Sequence, residues 1–261
     1  MDSQNTLDLI QTALDVQFRY AKGPVPTDLF EHPRWEMSAA HAGILTGLKN
    51  LYELAPSVPE DKKIDFAGYC LLWVSLIQLH HNFEEEHFLH HYPEAFEHKA
   101  DILSEHQIFH DGIEHIKSYL LGCLPLGTKW GFFGEVVAED PSRAQSQATT
   151  FDGAHLRTLV DAFAGPLTTH LQAEIGYFAP ESIKAAGMTE EKIKQMGKDT
   201  QEMIKKIPLQ PAFVYAVYHT APGIEFPPLP RFITKFLVPW VLHWSGTQVR
   251  GWLHPQQRQC H

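Results

Sequence analysis

Apolar residues recur along four stretches of this chain at steps of three and four, the period of one face of an α-helix. Segment A, residues 36–54, aligns Met37, His41, Ile44, Leu45, Leu48 and Tyr52 on one side, and Pro56 and Pro59 end it. Segment B, residues 61–91, carries Tyr69, Trp73, Ile77, His80, Glu84 and Phe88 on one stripe, and Pro93 closes it. Segment C, residues 95–122, is expected to turn Ile102, His106, Phe109, His110, Ile113 and Leu120 inward. Segment D, residues 152–178, does the same with Leu156, Leu159, Phe163, Leu167, His170, Glu174 and Tyr177. Gly165-Pro166 lies inside D, where a proline removes a backbone donor and predicts a kink or a break.

Four amphipathic helices, each roughly 25–45 Å long at 1.5 Å per residue, predict an all-α protein. With mostly short connections the simplest arrangement is an antiparallel four-helix bundle over residues 30–178. The connection between C and D is the exception. Residues 123–151 hold Gly, Pro, Ser and the aromatic residues Trp130, Phe132 and Phe133 without a period, which suits a functional lid or a mobile insert. Residues 179–261 form a C-terminal extension. Its first part, 180–207, reads as a charged amphipathic helix, and beyond Pro208 it turns Pro- and aromatic-rich. The apolar run from Phe232 to Trp244 contains Lys235, Pro239 and His243. It falls short of the about 20 apolar residues that a membrane span needs, so it is expected to pack on the bundle.

Composition narrows the class. With 44% hydrophobic and 20% charged residues, a chain of 261 residues can build a core without disulfides. A formal net charge of −10 offers no basic footprint for nucleic acid and little attraction to an anionic membrane. Cys70, Cys123 and Cys260 are odd in number, far apart and contain no C-x-x-C pair, which argues against both a disulfide framework and a thiolate metal site. Residues 1–20 are polar and amphipathic, without the apolar run of a signal peptide, so a reducing, cytoplasmic location is expected. The outlying number is 17 histidines, ten of them between His41 and His115.

The histidines matter because of where they fall. His41 lies on the apolar stripe of A, His80 and Glu84 on that of B, His106 and His110 on that of C, and His170 and Glu174 on that of D. Residues four apart project from one helix face on consecutive turns, so each pair can reach the same ion or two adjacent ones. Taken singly, a histidine on an apolar face is usually a satisfied core residue, and a His/Glu pair at this spacing is usually an intrahelical hydrogen bond. Taken together, five imidazoles and two carboxylates on inward stripes are hard to bury without counter-ions, since each buried charge costs several kcal/mol. Borderline ligands of this kind suit iron, zinc, copper or manganese. Seven of them exceed one four-coordinate zinc site and suit two six-coordinate ions with bridging carboxylates and one open position. The register of B has an alternative, because His81 and Glu85 share the same spacing; His80 and Glu84 are preferred because they continue the Tyr69-Trp73-Ile77 stripe.

The text of these motifs resembles the hemerythrin family, and in particular hemerythrin-like HHE cation-binding domains of the fungal type. The resemblance rests on Met37-Ser-Ala-Ala-His41, His80-His-Asn-Phe-Glu84-Glu-Glu86, Glu105-His-Gln-Ile-Phe-His-Asp-Gly112 and His170-Leu-Gln-Ala-Glu-Ile175, and it covers about residues 30–178. It implies a non-haem centre of two iron ions bridged by an oxo or hydroxo group. His106, His110 and His170 would hold one iron, His41 and His80 the other, and Glu84 and Glu174 would bridge them. It further implies a dioxygen or similar small-molecule ligand. Other readings explain fewer residues. A ferritin-like site needs two Glu-x-x-His motifs and only Glu84–His87 fits; a zincin needs a His-Glu dipeptide that the sequence lacks; His110-Asp111 resembles the dyad of HD-type metalloproteins but leaves the other pairs idle. A plain interaction bundle with incidental histidines leaves the inward carboxylates unexplained. The histidine-rich ligand set favours a binding protein. The 123–151 insert and the aromatic tail favour the alternative, a di-iron oxidase or oxygenase of a small organic substrate, for example in specialised-metabolite biosynthesis. His87, His90, His91, His98 and His115 are expected to face solvent, and Glu85 and Glu86 to lie at a solvated edge or beside the ligands.

Overall fold

In the computed structural model the described residues are 3–130, 135–136, 149–206, 211–220, 223–224 and 226. They are mostly helical. The main helices are α1 (Ser3–Ala21), α2 (His32–Leu54), α3 (Lys63–Glu86), α4 (Lys99–Cys123) and α5 (Gly153–Tyr177), followed by α6 (Pro180–Ala185), α7 (Glu190–Lys206) and α8 (Pro211–Tyr218). The only extended pairing among the described strands is antiparallel, between β1 (Lys129–Trp130) and β2 (Glu135–Val136).

Local sequence sets the helix ends. Pro33 occupies the first turn of α2, where its missing N–H has no partner to lose. Asp152 caps α5, its carboxylate accepting from the Ala154 and His155 amides at 2.8 and 3.3 Å. Segment B ends earlier than its stripe predicts. The α-helix stops at Glu86 and Phe88–His91 forms a short 3-10 turn, with His87 at φ −130°, ψ −57° between them. Pro166 does not break α5, which runs unbroken through it. The Thr168 hydroxyl donates to the Ala164 and Gly165 carbonyls at 2.8 and 3.0 Å there.

Helices α2 to α5 share a large apolar core that includes Leu45, Leu48, Tyr69, Trp73, Ile77, Phe109, Ile113, Phe163 and Leu167. Helix α1 precedes the expected boundary at residue 30, yet Ile10, Ala13 and Leu14 enter that same core. Its buried face also carries polar groups: Thr6 donates to Asp161 at 2.6 Å and Gln17 to the Leu171 carbonyl at 2.7 Å. A second cluster gathers Met37, Phe88, Leu89, Tyr92, Phe96, Ile102, Ile175 and Phe178 with Ile183, Ile193 and Met196 of α6 and α7. The described part of the extension therefore packs on the helices; Phe232 to Trp244 lies outside the described residues. No helix among the described residues is long and apolar enough to cross a membrane.

Helices α4 and α5 approach closely at Gly112, where an added Cβ would lie 2.7 Å from the Phe163 Cβ and 2.9 Å from its Cγ. The root of a buried side chain cannot swing aside. Gly112→Ala is therefore expected to cost about 1–3 kcal/mol, typical of overpacking, and to lower Tm by several degrees in a thermal melt. An unchanged melt would show that α4 and α5 can part there without cost.

Candidate metal centre

A polar layer interrupts the apolar interior where the two clusters meet. On α2, His41 lies between Met37 and Ile44; on α3, His80, His81 and Glu84 lie between Ile77 and Phe88. On α4, His106 lies between Ile102 and Phe109; on α5, His170 and Glu174 lie between Leu167 and Phe178. All seven side chains are buried except that of His80, which is 9% exposed. The layer draws on the first half of α2, the end of α3, the start of α4 and the end of α5.

The geometry divides the layer into two imidazole clusters joined by carboxylates. The coordinating atoms of His81, His106 and His170 lie within 4.8 Å of one another, and so do those of His41, His80 and Glu84 and those of Glu84, His106 and Glu174. Glu84 spans the clusters: Oε1 is 3.0 Å from His80 Nε2 and Oε2 is 3.4 Å from His106 Nε2. Glu174 does likewise through Oε2, which is 3.2 Å from His41 Nε2 and 3.5 Å from His170 Nε2. Phe109 packs on the first cluster, with ring centroids 5.1, 5.3 and 5.8 Å from His81, His170 and His106.

Six of the seven residues expected from the sequence meet here: His41, His80, Glu84, His106, His170 and Glu174. His110 does not, and its inward placement is corrected. Its side chain is 57% exposed, with Nδ1 3.5 Å from Asp111. The buried stripe of α4 is Ile102, His106, Phe109, Ile113, Ile116 and Leu120. At about 100° per residue His106 stands at one edge of that stripe, and His110 lies roughly 80° from its centre. His81 of α3 stands beside His106 and His170 where His110 was expected. The signal for it was present as a second apolar row, Cys70, Val74, Ile77 and His81, at steps of four, three and four. Helix α3 is buried on two faces, so His80 and His81 both point inward and the choice between their registers dissolves.

Two further carboxylates act on the layer. His106 Nδ1 donates to Glu85 Oε1 at 2.7 Å, and His170 Nδ1 donates to Glu105 Oε2 at 2.8 Å. The expected solvent-facing histidines divide: His87, His90 and His115 are exposed, whereas His91 and His98 are half-buried. His98 stacks on Tyr177 at 4.4 Å between centroids.

Electrostatics sharpen the case for a bound cation. Burial pushes the Glu174 carboxyl up, and the Glu84 charge adds to it, to about 7. Burial would raise Glu84 too, but His80 and His106 hold it well below the usual carboxylate range. Burial lowers His106, yet Glu84 and Glu85 outweigh it and bring that imidazole up to about 9. His41 falls to about 3 by burial, helped by His80. Burial also lowers His81 well below its ordinary value.

Hydrogen bonding within the protein leaves the inward atoms over. Both oxygens of Glu84, both of Glu174, and the Nε2 atoms of His81, His106 and His170 are buried without a hydrogen-bond partner. Buried polar atoms are nearly always satisfied, and seven unsatisfied acceptors and ring nitrogens gathered in one layer fit cations as the missing partner. These buried His/Glu clusters could hold metal ions. Comparison of the chain with family models, with curated proteins and with solved structures gave no match.

A metal ion bound in this layer would have to displace the protons on Glu174 and His106. Both are held above neutrality or near it, so raising the pH through about 7 and then about 9 removes the competitor. Apparent metal affinity is expected to rise across that window, with protons released on binding. Calorimetry at pH 7 in buffers of different ionisation enthalpy would register the release; identical heats in all buffers would contradict it.

Proposed function

We propose that this protein is a hemerythrin-like antiparallel four-helix bundle, formed by α2 to α5, with a non-haem centre of two iron ions that binds dioxygen or a related small ligand. The observation that carries the proposal is the pair of carboxylates spanning two imidazole clusters, with Glu84 presenting one oxygen to His80 and the other to His106. Bridging carboxylates between histidine-rich clusters are what two adjacent six-coordinate ions require, and one tetrahedral zinc would leave half the donors idle.

In this reading His81, His106 and His170 would hold one iron and His41 and His80 the other, with Glu84 and Glu174 shared between them. His41 and His80 offer one nitrogen fewer, so a small ligand would enter on their side. Bound there, an iron pair would supply two electrons to a small oxidising ligand. The protein's part is to keep the donors inward and water out. Phe109 lies against the three-histidine cluster, and the Phe88, Tyr92, Phe96 and Phe178 aromatics pack beyond the layer toward α6 and α7.

The enzyme reading leans on residues 123–151 as a lid. Their described ends do not lie at the layer. The insert leaves α4 at Cys123 and rejoins at Gly153. Both points lie roughly 25 Å along their helices from His106 and His170 at 1.5 Å per residue. An oxygen electrode separates the two classes. Reduced, iron-loaded protein is expected to take up one dioxygen per chain and release it on degassing. Continuous consumption of dioxygen with an added reductant would favour an oxidase, and no uptake would contradict both readings.

A further inference from the structure

The layer's histidines are not supported alike. His106 and His170 turn Nδ1 outward onto Glu85 and Glu105, at 2.7 and 2.8 Å. The Tyr177 hydroxyl donates to the other oxygen of Glu105 at 3.1 Å and steadies it. An ionised carboxylate only accepts, so each of these imidazoles carries a proton on Nδ1 and presents Nε2 to the centre. Among the described residues no carboxylate stands behind His41: the Leu171 backbone is the only hydrogen-bond partner acting on it from outside the layer, and its Nε2 lies 3.0 Å from His80 Nε2. Two ring nitrogens that close must share a proton, one donating and one accepting.

We propose that the two metal positions are unequal in affinity: the His81/His106/His170 position fills first, and Glu85 and Glu105 set the difference. The inference rests on the two-metal reading above. Three donors act at the first position against two at the second. Two of the three are fixed in tautomer and orientation before the ion arrives, and a carboxylate behind an imidazole makes it a stronger donor. Approach favours the same order. Glu85 is 40% exposed and Glu105 26% exposed, so a cation from solvent meets these anions beside the first position. The consequence is regulatory. At limiting metal the protein holds one ion, and the ligand position beside His41 and His80 forms only when the second equivalent binds.

Anaerobic titration of the metal-free full-length chain with cobalt(II), read by visible absorption and calorimetry, tests this. Two steps are expected, the first at least about 10-fold tighter. Glu85→Gln and Glu105→Gln should each weaken the first step about 10–100-fold, the usual cost of losing a group that orients a metal-bound histidine. They should leave the second step nearly unchanged. Tyr177→Phe, which leaves every donor in place, should weaken the first step less. Circular dichroism would confirm that each variant is folded. Uptake of two equivalents in one step, or Gln variants that weaken both steps alike, would overturn the inference while leaving the two-metal reading intact. No cobalt uptake by the natural sequence would overturn both.

Discussion

Stripping metal with a chelator is expected to lower the melting temperature by on the order of 10 °C. Without cations, Glu84 and Glu174 face one another in a layer sealed from water, and their oxygens have no hydrogen-bond partner. Burial and the Glu84 charge then raise the Glu174 carboxyl to about 7, a sign that the layer does not hold both charges comfortably. A ligand that binds only the native state stabilises it by about 4 kcal/mol when present at a thousand times its Kd. For a chain of this size each kcal/mol moves Tm by roughly 2–4 °C. Calorimetric scans of loaded and chelated protein measure the shift. Superimposable scans would mean that the layer is stable as a proton-filled polar network and needs no ion.

The second large effect separates two histidines that the sequence treats alike. His81→Ala is expected to lower metal affinity by more than the 10–100-fold that loss of a merely supporting group costs, because it removes a donor. His110→Ala should leave affinity and stability unchanged, since that ring is mostly in solvent. Parallel metal titrations of the two variants decide the matter. Equal losses, or a loss confined to His110→Ala, would restore the inward placement of His110 and reverse the geometry of α4.

The contrast shows where the sequence was readable. Helices α2 and α5 bury broad faces, and His41, His170 and Glu174 lie well inside them, so period alone could place these three. Helix α4 has a narrow stripe, and the i, i+4 rule admits a residue on either side of a helix line. The rule could not see that His106 already stood at the stripe's edge, which put His110 outside. Helix α3 failed in the opposite direction: Phe66, Cys70, Trp73 and Val74 are all buried, so no single stripe describes it and two adjacent histidines can both face inward. Helix α1 was amphipathic in the sequence, yet its buried Thr6 and Gln17 blurred the apolar face that joins it to the core. Their partners, Asp161 and the Leu171 carbonyl, lie more than 150 residues away. Glu85 and Glu105 had a weaker signal: a metal-bound histidine usually has a carboxylate behind it, and each lies close in sequence to a ligand residue. Which histidine each supports depends on helix packing, which spacing does not encode.

The central claim is a pair of metal ions held in one layer by His41, His80, His81, His106 and His170 with Glu84 and Glu174 between them. Elemental analysis of protein purified without added metal tests it most directly. The account predicts two iron ions per chain, falling to one or none when Glu174 is replaced by Ala. Zinc alone, or a single ion whose retention does not depend on Glu174, would contradict it.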